Sequence, residues 1–239
     1  MVIRTSLSTL CMAALAFGLL SGCAGAPKPE PSPTASTAAA APTPTPEPTR
    51  ELPEIEATVV AGAVADGTPA SVSGSGPTQI DYTVQDGIAV VVTLDCSACD
   101  GLVTVTNPDR MSPLGEAEAP LTGSYLENVF TADDPGASLL LYAAGNWTVR
   151  LESWNDIPST SGPQSGTGSR VLYLADATTS IDVSYQPADS DDTISVRVFT
   201  VAGTPLVFGD EVAFTESFDT QLPGVIAVAT NGSWTITPR

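Results

Sequence analysis

Gly145-Asn146-Trp147-Thr148-Val149 and Gly232-Ser233-Trp234-Thr235-Ile236 are the two stretches that decide the predicted fold. In each, a turn of small residues leads into an alternation in which tryptophan and Val or Ile occupy every second position. Successive side chains of a β-strand point to opposite faces, so this period of two predicts a strand with its tryptophan on one face. We expect both rings to pack against a core rather than to form a ligand platform, because a repeated core needs a repeated side chain.

Short β-branched runs with the same period continue through the chain after residue 53, and no helical period accompanies them. Clusters of Gly, Pro, Asp and Ser separate the runs, which is typical of turns between strands. Many short strands at this spacing indicate an all-β chain built as a β-sandwich. The predicted strands cover residues 79–84, 88–94, 102–106, 125–131, 138–142, 146–152, 171–174, 180–185, 193–201, 206–208, 211–215, 224–229 and 233–237, with 55–64 as a further edge strand.

A second pair of motifs indicates an internal duplication. Ser73-Gly74-Ser75-Gly76 opens the first half and Ser165-Gly166-Thr167-Gly168 opens the second, 92 positions later, while the two tryptophans are 87 positions apart. We therefore predict two tandem antiparallel, jelly-roll-like β-sandwich domains at 54–157 and 158–239. The joining stretch, 152–163, has no strand pattern and is expected to be open to proteases. Trp154 lies in it and either seals the domain junction or is exposed.

The first half resembles the pre-peptidase C-terminal domain, a β-sandwich appended to many secreted peptidases. The residues that carry the resemblance are Tyr82-x-Val84 before Asp86-Gly87, then Val90-x-Val92-x-Leu94, Asn107-Pro108-Asp109 after the run 102–106, and the closing Gly145 to Val149 motif. The resemblance implies a non-catalytic accessory or binding module. The acidic cluster that family members often carry on the middle strand is missing from 102–106, so calcium binding does not carry over there.

Leu20-Ser21-Gly22-Cys23 ends a segment that has the order of a secretory signal: Arg4 near the start, an apolar run over 10–20, then small residues. The run is shorter than the ~20 residues of a spanning helix. The four residues resemble the lipobox of bacterial lipoproteins, which implies cleavage after residues 1–22 and a diacylglyceryl group on Cys23. Two acyl chains anchor a protein stably, whereas one gives marginal binding. Ordinary signal cleavage with an incidental Cys23 is the alternative.

The stretch 23–53 is rich in Pro, Thr and Ala. Its closely spaced prolines deny helices and sheets their hydrogen bonds, so we predict a disordered or polyproline II linker. At ~3.1 Å per residue it could extend about 90 Å. Such a spacer would hold the following domains away from a membrane, at the extracytoplasmic face.

The composition excludes several function classes. The chain has 27 Asp and Glu against 8 Lys and Arg, a net charge of −19, which disfavours nucleic acid as a partner. It contains no histidine, so a Ser-His-Asp or Cys-His mechanism cannot be assembled from this chain alone. Chemistry based on paired carboxylates stays open.

Cys96 and Cys99 are the cysteines left once Cys11 departs with the signal and Cys23 is acylated. An even pair outside the cytoplasm predicts a disulfide. Residues i and i+3 of a tight turn lie within ~7 Å, which is in bonding range. The run 95–101 is predicted to lie between two strands, so the bond would staple a hairpin. A redox role is disfavoured because strands, rather than a helix N-terminus, flank the pair.

The loop 187–192 of the second half corresponds to the cysteine-containing run of the first. Asp189, Asp191 and Asp192 lie close together in it and could coordinate calcium, which prefers oxygen ligands. Solvated turn acids are the commoner explanation of such a cluster. Apart from this calcium hypothesis, the sequence predicts no cofactor.

The function predicted from these features is that of a lipid-anchored lipoprotein on the extracytoplasmic face of the cell membrane. Its β-sandwich modules would be non-catalytic and bind an envelope protein or a glycan. Two alternatives are a carboxylate-based glycosidase or lyase and a purely structural envelope protein.

Overall fold

Sixteen β-strands and one turn of 3₁₀ helix, Trp154–Asp156, form the regular structure of the described residues, and no α-helix occurs among them. The computed structural model describes residues 52–85, 87–127, 136–201 and 204–239, which belong to one compact unit, Thr49–Arg239. The predicted signal, the anchor Cys23 and the linker up to residue 51 lie outside these residues. The all-β fold class is confirmed. Within the described ranges no helix is long and apolar enough to cross a membrane.

The strands divide into a first module, β1 to β7, and a second module, β8 to β16. No hydrogen-bonded sheet among the described residues contains strands of both. Their bounds are β1 Ala57–Val64, β2 Ala70–Ser75, β3 Thr78–Val84, β4 Val90–Thr106, β5 Gly115–Glu118, β6 Leu121–Glu127, β7 Gly136–Ser153, β8 Ser159–Thr160, β9 Gln164–Thr167, β10 Arg170–Leu174, β11 Ser180–Gln186, β12 Ile194–Thr200, β13 Leu206–Asp210, β14 Phe214–Asp219, β15 Gly224–Ala229 and β16 Ser233–Pro238.

The first module is one sheet folded over into two layers. The first part of β4 pairs with β6 and with the second part of β7, which in turn pairs with β2. The second part of β4 pairs with β5 and with the first part of β7, which pairs with β3, and β3 pairs in parallel with β1. A four-strand layer and a five-strand layer therefore enclose one core, which is built from the inward positions of both.

Strands β4 and β7 run through both layers and bend between them. In β4, extra residues relative to β7 lie between Asp95 and Ala98 and again between Asp100 and Thr104. Bulges of this kind let a strand turn a corner from one layer to the other. Opposite them, Gly145 has φ +105°, and an added Cβ would lie 2.6 Å from the carbonyl oxygen of Ala98. Glycine is therefore required where β7 makes the same turn.

The second module has two separate sheets in the same strand order. Its four-strand sheet runs β14-β11-β16-β9 and its five-strand sheet runs β13-β12-β15-β10-β8. These orders match the two layers of the first module strand for strand, including the parallel edge pair, β8 on β10 here and β1 on β3 there. The second module differs at its corner, where the counterparts of β4 and β7 are each broken into two strands, β11 and β12, and β15 and β16.

The two tryptophans occupy the same place in the two modules. Trp147 pairs with Gly74 across β7 and β2, and Trp234 pairs with Gly166 across β16 and β9. Their side chains are 2% and 4% exposed, so the expectation that both rings pack into a core is confirmed. Each glycine is required, because an added Cβ would lie within 2.5 Å of the Trp147 ring or 2.8 Å of the Trp234 ring.

Hydrogen bonds at these tryptophans repeat as well. The Trp147 indole donates to the carbonyl of Gly76 at 3.1 Å, and the Trp234 indole donates to that of Gly168 at 2.9 Å. The amides of these two glycines donate in turn to the carbonyls of Gly145 and Gly232. The Ser/Thr-Gly motifs and the tryptophan motifs seen in the sequence are thus partners in one repeated structural unit.

Four sequence expectations about the strands are wrong. Most of the predicted strand 211–215 lies between β13 and β14, since β13 ends at Asp210 and β14 begins at Phe214. The runs 88–94 and 102–106 are not separate strands joined by a loop, because β4 continues through both with bulges. The runs 138–142 and 146–152 are likewise one strand, β7. The stretch 152–163 is not free of strand structure, because it contains β8, which pairs with β10. Part of the predicted strand 125–131 lies outside the described residues.

Candidate binding cleft at the module junction

The two modules pack together through a third apolar core of their own. It forms because strands β10 and β15 are apolar on both faces, and β12 adds Phe199. In β15, Ile226 and Val228 face the core of the second module, whereas Val225 and Ala227 face the junction. A continuous apolar run such as 225–229 is typical of a strand that is buried on both sides. The buried members of this junction core are Ala89, Val91, Leu126, Val171, Phe199, Val225 and Ala227.

Hydrogen bonds between the modules fix their relative position. The buried Ser124 hydroxyl accepts from the amide of Val171 at 2.8 Å, and the amide of Ser124 donates to the carbonyl of Ser169 at 3.1 Å. The Arg197 guanidinium donates to the carbonyl of Leu126 at 3.2 Å. Apolar burial and these bonds together make the junction a packed interface.

Trp154 seals one side of this junction, as the first of the two sequence alternatives requires. Its ring meets Phe199 edge-on with the centroids 6.0 Å apart, and its amide donates to the carbonyl of Ala89 at 3.0 Å. The 3₁₀ turn that carries it begins at Ser153, whose hydroxyl accepts from the amide of Asn155. The tryptophan is therefore held by backbone and ring contacts to both modules.

Asp66 braces the same turn from the first module. Its carboxylate accepts hydrogen bonds from Ser153 Oγ at 2.6 Å and from Asn155 Nδ2 at 3.1 Å, and these bonds lower the pKa of Asp66. The amide of Gly67 donates to the carboxylate of Asp156 at 2.8 Å. The position of Trp154 is thus set by a polar network as well as by packing.

Beside the Trp154 ring, the junction opens into a cleft of about 600 Å³. This volume lies within the about 300–1,000 Å³ typical of small-molecule sites. The 3₁₀ turn contributes to the lining on one side, and strands β8, β10, β15 and β12, which are neighbours in one sheet, contribute the rest. The lining residues are Trp154, Asn155, Ile157, Ser159, Tyr173, Phe199, Thr200, Val201, Pro223, Gly224 and Val225.

The described lining contains no Asp, Glu, Lys or Arg, although acidic residues are abundant in the chain. Aromatic and aliphatic groups dominate it, and hydroxyl and amide groups lie among them. Several apolar side chains stay accessible: Trp154, Ile157 and Tyr173 are half-buried, and Val201 is fully exposed. The cleft can therefore hold an uncharged ligand that has both apolar and hydrogen-bonding surface.

A charged cluster lies at the end of β6, near the junction core. Glu127 is buried, accepts a hydrogen bond from the side-chain amide of Asn107, and lies 3.8 Å from the Arg110 guanidinium. Burial, followed by the charge of Glu127, raises the pKa of Tyr82. Burial and the neighbouring Arg110 lower the pKa of Arg197, while Glu127 opposes that change. The Glu127 carboxylate therefore interacts electrostatically with both Arg110 and Arg197.

Cys96 and Cys99 lie at disulfide-bonding distance, with their Cα atoms 5.1 Å apart. Both are buried and belong to the core of the first module. The expected hairpin is wrong, because both cysteines lie inside β4, in the bulged segment where the strand passes between layers. The pair therefore spans a corner of the sandwich, with Cys99 directly opposite Gly145.

The structure does not gather the three aspartates of the 187–192 loop into a ligand set. Asp189 and Asp191 are exposed, and Asp189 accepts from the amide of Asp191 at 2.9 Å. Asp192 is buried. No group of three acidic, cysteine or histidine side chains placed to hold a metal ion occurs among the described residues. The arrangement gives the calcium hypothesis no support.

Asp192 instead ties together the corner of the second module. Its carboxylate accepts from the Tyr185 hydroxyl, the Ala188 amide and the Asn231 amide, each at 3.0 Å. The Thr230 hydroxyl donates to it as well, at 3.1 Å. Burial alone would raise the pKa of Asp192, but these hydrogen bonds together lower it. The carboxylate joins the two chain breaks, between β11 and β12 and between β15 and β16.

Sequence reasoning identified Trp154 but not the cleft beside it. The lining residues come from segments up to about seventy positions apart and sit on the outward faces of their strands. One available signal was the pair of apolar residues Val171 and Tyr173, which alternate with the core residues Leu172 and Leu174. A strand that is apolar on both faces predicts a second buried surface.

Comparisons with known proteins name no family for the chain. No protein-family model matches it, and no curated protein matches it. Among solved structures, the CUB1-EGF-CUB2 domains of rat MASP-1 align over 75% of this chain and 99% of that chain, with 8% identity and a TM-score of 0.26. A Sulfolobus turreted icosahedral virus structure aligns over 71% and 91%, with 11% identity and a TM-score of 0.24. Similarities at this level carry no argument about function.

Proposed function

We propose that the protein is a lipoprotein anchored at the extracytoplasmic face of the cell membrane, whose paired β-sandwich modules act as one non-catalytic unit that binds an envelope protein or glycan. The lipid on Cys23 would provide the anchor, and the linker 23–53 would act as the spacer. The unit that it carries would present its binding surface away from the membrane.

The observation that carries the proposal of binding is the cleft beside Trp154. Its lining comes from the 3₁₀ turn, which Asp66 and the junction core hold in place, and from strands of the second module. A preformed, mostly apolar cleft with a few polar groups is the usual form of a binding site. Glycosidase chemistry requires two carboxyl groups facing the site, and the described lining supplies none. This favours binding over the carboxylate-based alternative.

The anchor is tested by metabolic labelling with palmitate in a bacterial host that lipidates exported proteins. We expect the wild-type chain to incorporate label and to fractionate with membranes, and the Cys23→Ala variant to lose the label. Cys11→Ala is the matched control and should keep the label, because Cys11 lies in the predicted signal. Label retained by Cys23→Ala, or wild-type protein released in full to the medium, would refute the lipoprotein proposal.

A further inference from the structure

We infer that the cleft beside Trp154 is a binding site for a neutral glycan, with the faces of sugar rings laid against its aromatic walls. The inference rests on the proposed binding function and specifies its site and its ligand class. Trp154, Tyr173 and Ser159 are the residues expected to contact the glycan.

The apolar walls fit one surface of a sugar ring. A pyranose presents C–H groups on its faces and hydroxyl groups around its edge. The Trp154 and Tyr173 rings line the cleft and are half-buried, so each keeps accessible ring surface. Tyr173 is also held rigidly, because its backbone pairs with Val225 on one side and Ser159 on the other. Rigid aromatic side chains give large contact area at low cost in conformational entropy.

The polar groups of the cleft are suited to hydrogen bonding with the hydroxyl groups around the edge of a sugar ring. Ser159, Thr200 and Tyr173 bring hydroxyl groups, and Asn155 brings an amide, each of which both donates and accepts hydrogen bonds. A purely hydrophobic ligand would cover these hydroxyl groups without offering them hydrogen-bond partners, at a cost in free energy. A mixed lining of this kind matches a ligand with alternating apolar and hydroxyl surface.

The charge of the site selects a neutral glycan over an anionic one. The described lining has no basic residue to pair with a uronate, sulfate or phosphate group. The chain as a whole carries a net charge of −19, which repels anionic polymers at long range. An uncharged glycan does not experience this repulsion, so its affinity is not lowered by it.

The test uses the full chain, purified from membranes in a detergent that contains no sugar. Binding of maltohexaose, cellohexaose and chitohexaose is measured by titration calorimetry and by tryptophan fluorescence, with hexagalacturonate as the anionic comparison. Of the three tryptophans, Trp147 and Trp234 are buried in the module cores, so a change in fluorescence reports on Trp154. We expect at least one neutral hexasaccharide to bind and hexagalacturonate not to bind.

Variants then locate the site. Tyr173→Ala should weaken binding by about tenfold or more, as removal of a central aromatic contact does. Tyr142→Ala is the matched control, since Tyr142 is also half-buried but lines a different depression, in the first module; it should leave affinity unchanged. Ser159→Arg gives a second variant from an exposed position, where a long side chain fills the cleft without disturbing a core. It should abolish binding even if Tyr173→Ala fails to fold.

The possible failures are distinguishable. Binding that survives in Ser159→Arg would refute the site, and equal binding of hexagalacturonate would refute the neutral class. If no neutral hexasaccharide binds while the wild-type chain captures a protein from envelope fractions, the glycan inference is wrong and the proposed binding function stands. Failure of palmitate labelling would instead refute the anchor and leave the cleft inference intact.

Discussion

The two modules have the same strand order but close their corners by different means. In the first, β4 and β7 pass unbroken from one layer to the other, and the bend holds the Cys96 and Cys99 pair. In the second, the corresponding strands are broken, and the carboxylate of Asp192 accepts hydrogen bonds from residues on both breaks. One module therefore uses a pair at disulfide distance where the other uses a buried, hydrogen-bonded carboxylate.

This difference shows which features the fold itself requires. The paired glycine and tryptophan, the indole bond to the next glycine carbonyl and the parallel edge strand occur in both modules. The corner chemistry occurs in one form or the other. Features present in both modules belong to the common architecture. The corner differs, because either a cysteine pair or a hydrogen-bonded carboxylate can hold the chain there.

The largest expected loss of stability comes from removing the core tryptophan of either module. Trp147→Ala and Trp234→Ala each leave a large cavity in a module core, and such changes cost about 3–5 kcal/mol. We expect the two losses in the free energy of unfolding, measured in urea by circular dichroism, to agree within about 1 kcal/mol. Met111→Ala, at a fully exposed position, is the control and should change little. A loss confined to one tryptophan would mean that the two rings do not play equivalent roles.

Asp192→Ala should have the next largest effect. The change leaves the Tyr185 hydroxyl and the amides of Ala188 and Asn231 without their acceptor, and each buried donor left unpaired costs about 1–3 kcal/mol. Because water and loop movement recover part of this, we expect a net loss of about 3 kcal/mol. Asp189→Ala, in the same loop but exposed, should stay within about 0.5 kcal/mol of the wild type. Equal effects from the two variants would contradict the central role of Asp192.

The pH dependence of the free energy of unfolding, compared between wild type and Asp192→Asn, sharpens that result. The pKa of Asp192 is lower in the folded protein than in the unfolded chain. A carboxyl with a lowered folded pKa contributes stability that is present above its unfolded pKa, about 3.9, and is lost as pH falls through the folded value. The stability gap between wild type and Asp192→Asn should therefore narrow below about pH 4. A gap that stays constant there would contradict the assignment.

Much of the strand pattern could be predicted from the sequence, because alternation directly reflects burial on one face. The run 224–229 is the strand β15 residue for residue, and 180–185 differs from β11 by one residue. The short strands β2, β5, β8 and β9 were missed, since Ser-, Gly- and Glu-rich segments carry no apolar alternation. Their strand state comes from pairing with β7, β4, β10 and β16, which is a tertiary effect.

The corner and the cleft were beyond sequence reasoning for physical reasons. Residues 95–101 contain Asp, Ser and Gly, which resemble a turn, but hydrogen bonding to β7 keeps them in the strand with bulges. Asp192 looked like one of three equivalent turn acids, and only its burial separates it from Asp189 and Asp191. The cleft depends on how the 3₁₀ turn packs against strands of the second module that are distant in sequence, which local patterns do not encode.

The smallest of the three effects is expected at the Cys96 and Cys99 corner. A disulfide that closes so short a loop restricts the unfolded chain little, and the chain-entropy relation gives about 2 kcal/mol. The Cys96→Ser/Cys99→Ser double variant should lose about that much, and reductant should lower the stability of wild type to a similar value while leaving the double variant unchanged.

Reductant should also leave the loss caused by Asp192→Ala unaltered, because the two corners lie in separate modules and share no partner. A larger Asp192→Ala loss in reductant would show that the corners act together, through the apolar junction that joins the modules. Strict additivity would show instead that each module closes its own corner independently. Free thiols that react in the native oxidised protein would contradict the disulfide itself.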